Sequence, residues 1–333
     1  MGHRQQQPTQ DKRRLEWVTW EYKKQQAAMS EVEVNPMLTG HEVRELQLLI
    51  EQRSGILFDE SRERFLTTRV VEHMQRKRLN YGLELLRLVR GSNVEYDAML
   101  ERLLTQETSF LRYPGLFAAF EQRVLPEMLG RKFWDKDSAL RIWSAGCSTG
   151  EEPYSIALTL CDASGVPGKP AVGLMGRGQG SLPPANILAT DVSREALERA
   201  ERGIYRGRAL ENLSRAQISA YFTKQDEQYE VKPALREIVK FAPLNLAHPV
   251  YLGRFDCIFC MNVLIYFSAE LRSKLIQRFY EALEPGGYLF LGHAESISDA
   301  PVKFHQTFLN GARLLQKPLT SASGPARATE VVQ

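Results

Sequence analysis

The sequence has no apolar run near the ~20 residues that a membrane-crossing helix needs. Its first residues, Met1 to Arg14, are polar and glutamine-rich, with no apolar stretch of the kind that directs export. A cytoplasmic location without membrane insertion is the expectation that follows. Cysteine is scarce: Cys147, Cys161, Cys257 and Cys260 are the four in 333 residues. Their apolar surroundings speak against a disulfide framework. A dominant charge sign is missing too. Lys and Arg number 43 against 40 Asp and Glu, a formal excess of +3, too mild to imply nucleic acid by itself. What is present is a globular balance, 43% hydrophobic and 25% charged. The length suits two domains of ordinary size.

Residues 1–36 are polar, with Trp17 and Trp20 lacking any partner pattern, and read as a poorly ordered extension. Thr39 followed by Glu42 makes a capping box ahead of Val43, Leu46, Leu49 and Ile50 at helical spacing. Further helices are predicted from about Ser61, over 82–90 and over 94–104, giving an all-helical domain at 37–105. The helix from about Ser61 carries Arg62, Arg64, Arg69, His73, Arg76, Lys77 and Arg78. That set is either a solvated helix face or a patch that docks on an acidic partner.

A segment at 106–115 leads into a different texture. Helices are predicted over 116–130, 153–163, 193–202, 214–221 and 268–284. Short apolar runs read as strands at 139–144, 186–190, 238–242, 255–261 and 288–292. Strands alternating with helices predict an α/β fold, a doubly wound parallel sheet of Rossmann type, over 116–317. Two stretches interrupt it. Residues 165–185, rich in Gly and Pro, read as a flexible insertion, because no strand directly precedes the glycines as a phosphate loop requires. Residues 203–240 exceed what one crossover needs and leave room for a small subdomain. The Ser/Ala/Gly tail at 318–333 reads as disordered.

In such a sheet, ligands sit beyond the carboxyl ends of the strands. After the first strand comes Trp143-Ser-Ala-Gly-Cys-Ser-Thr-Gly-Glu-Glu-Pro-Tyr154. Its small residues admit a ligand close to backbone, yet two acids, Glu151 and Glu152, open the following helix. Carboxylates there repel a pyrophosphate and welcome a cationic amine, which points to S-adenosylmethionine, a ligand with an ammonium, a sulfonium and no phosphate. The plainer role for these acids is to complement the helix dipole. Asp191, at the end of the second strand, suits hydrogen bonds to ribose hydroxyls. It is also placed to cap the next helix, and both roles can hold. Asn262 follows a later strand, with Tyr266 one turn further on. Cys257 and Cys260 form a CxxC inside an apparent strand with no second pair, so no metal site is expected.

Taken in order, Gln106-Glu-Thr-Ser-Phe-Leu-Arg112, Trp143 to Ser155, Ala189-Thr-Asp191, Phe255-Asp-Cys-Ile-Phe-Cys-Met-Asn-Val-Leu-Ile-Tyr-Phe267 and Gly287-Tyr-Leu-Phe-Leu-Gly-His-Ala-Glu295 resemble the CheR-type chemotaxis receptor glutamate methyltransferases over about residues 38–317. The resemblance implies a helical N-terminal domain followed by a Rossmann-like methyltransferase domain with a small antiparallel β-subdomain at 203–240. By motif, Gln106, Thr108 and Arg112 would reach the S-adenosylmethionine from the interdomain segment. Glu152 would hold its polar end, Asp191 its ribose, Asn245 and Leu246 its adenine. Asn262 and Val263 would touch it near the reacting centre, and Arg112 and Tyr266 would line the glutamate pocket. The chain departs from the pattern where Gln106 replaces a common Asn and Leu111 a common Phe. The stretch from Tyr221 to Pro233 lacks the glycines that go with gripping a receptor's C-terminal peptide.

The implied reaction esterifies glutamates of a chemotaxis receptor's cytoplasmic domain, releasing S-adenosylhomocysteine, with the enzyme acting as a monomer. Two other readings stay open on sequence: a methyltransferase for a different substrate, and a non-catalytic sensor or scaffold that only binds the cofactor.

Overall fold

The computed structural model describes residues 36–132, 139–163, 184–298 and 300–319. The N-terminal extension up to residue 35, nearly all of the Gly/Pro-rich insertion and the tail from 320 lie outside the described residues. The chain forms two compact units, one from residues up to Leu46 together with Glu63–Met99, the other from Gln47–Arg62 together with the chain from Leu100. No helix among the described residues is long and apolar enough to cross a membrane.

The first unit is helical. Helix α1 (Gly40–Ser54) starts at a capping box in which Glu42 Oε2 accepts the Thr39 N–H at 2.8 Å and Thr39 Oγ1 accepts the Glu42 N–H at 3.3 Å. Only its first half belongs to this unit. Helices α2 (Glu63–Lys77), α3 (Gly82–Gly91) and α4 (Asn93–Leu103) follow. Leu66, Val70 and Met74 recur at helical spacing on α2 and are fully buried, as are Leu85 and Val89 on α3. His73 is buried among them at 2% exposure, so it does not belong to the basic face that its neighbours suggest. On that face Arg69 pairs with Glu72 and Lys77 with Glu95.

The second unit is built on a seven-stranded sheet. Its strands are β1 (Leu140–Ala145), β2 (Ala185–Asp191), β6 (Val239–Pro243), β7 (Phe255–Cys260), β8 (Leu283–Leu291), β9 (His305–Leu309) and β10 (Ala312–Gln316), in the order β6-β2-β1-β7-β8-β10-β9. Pairings β6–β2, β2–β1, β1–β7 and β7–β8 are parallel, while β10 runs antiparallel to both of its neighbours. All six residues of β7 are buried, as expected for a strand covered on both faces. The chain leaves β1 toward β2 and returns to β7 on the other side, so the order reverses at β1. That reversal opens a crevice at the carboxyl ends of β1 and β7.

Helices α5 (Pro114–Ala119) and α6 (Leu125–Lys132) replace the single predicted helix, joined by a π turn over Phe120–Val124. Pro126 has no N–H for the carbonyl four residues back, which interrupts the regular ladder there. Helix α7 (Glu151–Ala163) follows β1, and α8 (Arg194–Arg202) follows β2. Between β2 and β6 lies a small antiparallel sheet of β3 (Ile204–Arg206), β4 (Phe222–Gln225) and β5 (Gln228–Val231), with α9 (Arg215–Tyr221) and α10 (Pro233–Arg236) beside it. Helix α11 (Ala269–Ala282) leads into β8. The β9–β10 hairpin has no counterpart in the sequence reading, although Asn310-Gly311 turns it with φ 52° and 75°, the left-handed pair that a tight hairpin demands.

Candidate cofactor and active site

The turn after β1 is shaped by two close approaches. Gly146 holds φ 86°, and a Cβ there would lie 2.4 Å from a Val263 methyl; only glycine fits. Two residues on, Ser148 adopts φ 49° and donates its N–H to Asp191 Oδ2 at 2.8 Å. The other Asp191 oxygen accepts the Ser193 N–H at 2.9 Å. Burial pushes the Asp191 carboxyl up from its ordinary range, and these N–H groups oppose that shift. The cap of α8 is not Asp191 but Ser193, whose hydroxyl accepts the Ala196 N–H at 2.9 Å. Asp191 is thereby spared for a ligand, each oxygen keeping acceptor capacity beyond its one backbone bond.

The two acids that open α7 are separated by the fold. Glu152 lines the cavity at the end of β1, and its Oε1 accepts the Ser144 hydroxyl at 2.6 Å. Glu151 turns to a neighbouring depression, where Thr149 donates to it at 2.6 Å. Desolvation dominates at Glu152 and raises its pKa from 4.5 to about 8, with Glu295 and Asp191 adding repulsion and the Arg112 charge opposing it.

The loop after β7 carries Asn262 in a left-handed conformation, φ 61°. Its shape is imposed by Glu295, a carboxylate only 3% exposed. Glu295 Oε2 accepts the N–H groups of Asn262 at 3.0 Å and Gly292 at 2.6 Å, and Oε1 those of Val263 at 2.9 Å and Leu264 at 2.7 Å. The Tyr113 hydroxyl donates to Asn262 Oδ1 at 2.6 Å. Asn262 and Val263 both line the cavity.

Arg112 arrives on an anchored segment. Phe110 is fully buried, edge-on to Tyr205 at 5.0 Å and Phe222 at 5.1 Å. Leu111 then takes φ 47° and donates its N–H to Ser155 Oγ at 2.9 Å. This turns Arg112 into the cavity wall, with Nη1 on the Glu107 carbonyl at 2.7 Å. Thr108 lines the same cavity. Gln106 does as well, but its amide is engaged with the protein, donating to Ser193 Oγ at 3.4 Å and accepting from Arg199 at 3.1 Å.

On the opposite margin, the Arg62 guanidinium lies 4.7 Å from the Phe58 ring centre and 4.8 Å from that of Tyr266, holding Tyr266 in place by cation–π contact. Asn245 spends its amide on the Arg53 carbonyl at 2.9 Å and the Ala247 N–H at 2.9 Å. Asn245 and Leu246 therefore form a rigid rim. All ten residues that the family resemblance assigns to the site line this one cavity of about 270 Å³, whereas Glu151, the other acid of the turn, does not. The cavity also contains Gly146, one of the small residues of the turn after β1, and Arg62 and Ser148, which sequence reasoning missed as site residues. The signal for Arg62 was swamped by the basic run it begins.

The model of the CheR methyltransferase SAM-binding domain matches residues 106–312. The chain is 34% identical over 278 residues to a chemotaxis protein methyltransferase of Vibrio parahaemolyticus, covering 82% of this chain and 95% of the relative. Identity is also 34% over 276 residues to the Escherichia coli chemotaxis protein methyltransferase, covering 80% and 88%. Against chemotaxis protein methyltransferase 1 of Pseudomonas aeruginosa it is 34% over 259 residues, covering 77% and 90%. The chain belongs to the CheR methyltransferase family.

The CheR cofactor is S-adenosylmethionine, and the cavity fits it. Ser148 Oγ is buried with no hydrogen-bond partner among the described residues, an orphan that a ligand's polar group satisfies. Gly146 supplies a wall free of side chain, Asp191 offers acceptors suited to a diol, and Glu152 suits an ammonium. Replacing Asp191 with alanine is expected to weaken S-adenosylhomocysteine binding by about 1.5–3 kcal/mol, the scale of a hydrogen bond to a charged group. Calorimetry giving an unchanged Kd would remove Asp191 from the binding set.

Glu152 makes cofactor binding a proton-linked event. At pH 7 its carboxyl, with a pKa near 8, is mostly protonated in the ligand-free protein, whereas an ammonium favours the ionised form. Binding should therefore release close to one proton, and affinity should rise with pH between 6 and 8 by up to about tenfold per unit. Titrations at fixed pH in buffers of different ionisation enthalpy measure this directly. Heats independent of buffer, with a flat pH profile, would place the ammonium elsewhere.

Proposed function

We propose that this chain methylates glutamate side chains on the cytoplasmic domain of bacterial chemotaxis receptors, giving glutamate methyl esters. The observation that carries the reading is Arg112, a guanidinium in the wall of the cofactor cavity with no ion-pair partner among the described residues. Its remaining N–H groups suit an incoming carboxylate, which a guanidinium fork binds well. The relatives' names, chemotaxis protein methyltransferases, support an acceptor in the chemotaxis machinery, and a receptor is the acceptor of this reading. The reading takes the enzyme as a monomer working in the cytoplasm; the cavity walls drawn from this chain's own residues and the cytoplasmic face of the proposed acceptor support it.

When bound, S-adenosylmethionine supplies an electrophilic methyl on a positively charged sulfur. A glutamate with pKa ~4.3 is already ionised at neutral pH, so the site needs no general base. The work left to the protein is alignment, an effect that reaches on the order of 7–11 kcal/mol. Arg112 positions the carboxylate and Tyr266, steadied by Arg62, shapes the pocket around it. The grip must be loose enough to leave the oxygen nucleophilic, because its charge is lost in the transition state.

The test is transfer of labelled methyl from S-adenosylmethionine to receptor-bearing bacterial membranes, followed by mild alkali. Release of the label as volatile methanol is the expected result. Label that resists alkali would keep a methyltransferase and discard glutamate, and cofactor binding without label would favour a sensor.

A further inference from the structure

The cofactor cavity adjoins a second, wider depression of about 1120 Å³. Gln106–Ser109 and Arg112 line both. Most of the rest of the depression is formed by the end of α8, by β3 and by the turn after it, which contribute Arg199, Arg202, Arg206 and Arg208. The scaffold beneath is fixed: the Tyr205 hydroxyl donates to the Thr149 carbonyl at 2.7 Å, and the Phe110 N–H to the Ala209 carbonyl at 2.9 Å. Arg199 is engaged with Glu195 and Gln106. Arg202, Arg206 and Arg208 are exposed, and none has an ion-pair partner among the described residues. The depression also carries Glu107, Glu151 and Glu211. Burial raises the Glu151 carboxyl while the Thr149 hydroxyl bond opposes that shift, and even with all three acids counted as charged, the five arginines of the depression outnumber them. The balance is basic, beside the residue that positions the reacting carboxylate.

Three unpartnered guanidinium groups at the mouth of a site that consumes carboxylates need an explanation, and mutual repulsion makes their clustering costly without an anionic occupant. The space far exceeds one glutamate side chain. We infer that this depression seats the acidic stretch of the acceptor protein next to the glutamate being modified, with Arg202, Arg206 and Arg208 facing its carboxylates. The inference rests on the glutamate reading above. It carries a consequence for the reaction's course. Each ester formed near the reacting residue removes one negative charge from the segment, so docking weakens as modification proceeds and the most heavily esterified acceptors are the poorest substrates.

The experiment compares the wild-type chain with the triple variants Arg202→Gln/Arg206→Gln/Arg208→Gln and Arg202→Glu/Arg206→Glu/Arg208→Glu. Calorimetry with S-adenosylhomocysteine first checks that both variants keep the cofactor site. Label transfer is then measured against increasing amounts of receptor-bearing bacterial membranes at low and high salt. The glutamine triple should raise KM for receptor about tenfold and the glutamate triple further, with kcat within twofold of wild type. The wild-type KM should climb with salt while those of the variants change less, as screening of a charge-steered encounter requires. A KM within twofold of wild type in a variant that still binds S-adenosylhomocysteine would overturn the docking role alone. Absence of alkali-labile label from the wild type would overturn the glutamate reading and this inference with it.

Discussion

Replacing Glu295 with alanine should cost the second unit about 4 kcal/mol of stability and loosen the cofactor cavity in the molecules that remain folded. The carboxylate accepts four backbone N–H groups, from Asn262, Val263, Leu264 and Gly292, and it is buried. Removing an acceptor from buried donors costs about 1–3 kcal/mol per group left without a partner. Water entering the vacated space recovers part of that, which brings the sum to the figure above. The local consequence is at Asn262, whose left-handed backbone costs energy that the four bonds offset. Glu295→Gln keeps the shape but turns an NH₂ toward two of the donors, so an intermediate loss is expected. Urea unfolding followed by circular dichroism, alongside calorimetry with S-adenosylhomocysteine in the absence of urea, measures both effects. A stability within 1 kcal/mol of wild type would mean that the loops after β7 and β8 hold their shape without this carboxylate.

The parts of the site that were legible in sequence are those fixed by position along a strand and its following turn. Gly146, Glu152 and Asp191 fall at strand ends, where an open α/β sheet places its ligands, and their chemistry follows from residue type. Residues defined by distant partners were not legible. The amide of Asn245 bonds a carbonyl 192 residues away, and nothing near Asn245 announces it. Arg62 read as one of a run of cations, because its stacking between Phe58 and Tyr266 depends on a strand bridge that brings Ile56 beside Phe267. Gln106 was assigned to the cofactor by its place in a motif, yet its amide holds Ser193 and Arg199. The Asn310-Gly311 hairpin turn, by contrast, is a local signal, an Asn-Gly pair in the left-handed region. For the sheet, buried runs such as β7 were plain, whereas the start of β8 at Leu283 was hidden by Pro285 and Gly286, residues that sequence rules assign to turns.

Arg112→Ala should lower kcat/KM on receptor about 10²-fold, which is about 2.7 kcal/mol of transition-state stabilisation. The magnitude follows from alignment: misplacing a reacting group by about 1 Å costs on this order, and nothing else among the described residues of the cavity wall offers a planar fork of donors from the same position. Stability should change little, because the side chain makes one hydrogen bond to the protein among the described residues, to the Glu107 carbonyl at 2.7 Å, while Phe110 and the Leu111 N–H keep the segment anchored. Arg112→Lys restores the charge without the fork and should recover only part of the rate. A second readout separates a local effect from general damage. The Arg112 charge favours the ionised form of Glu152, so its removal should push the Glu152 carboxyl higher and bring the proton released on S-adenosylhomocysteine binding at pH 7.5 closer to one. Near-wild-type kcat/KM in the alanine variant would take Arg112 out of the acceptor pocket. A lowered rate with unaltered proton release would keep it there but sever its coupling to Glu152, leaving the carboxylate of the acceptor as the only charge it serves.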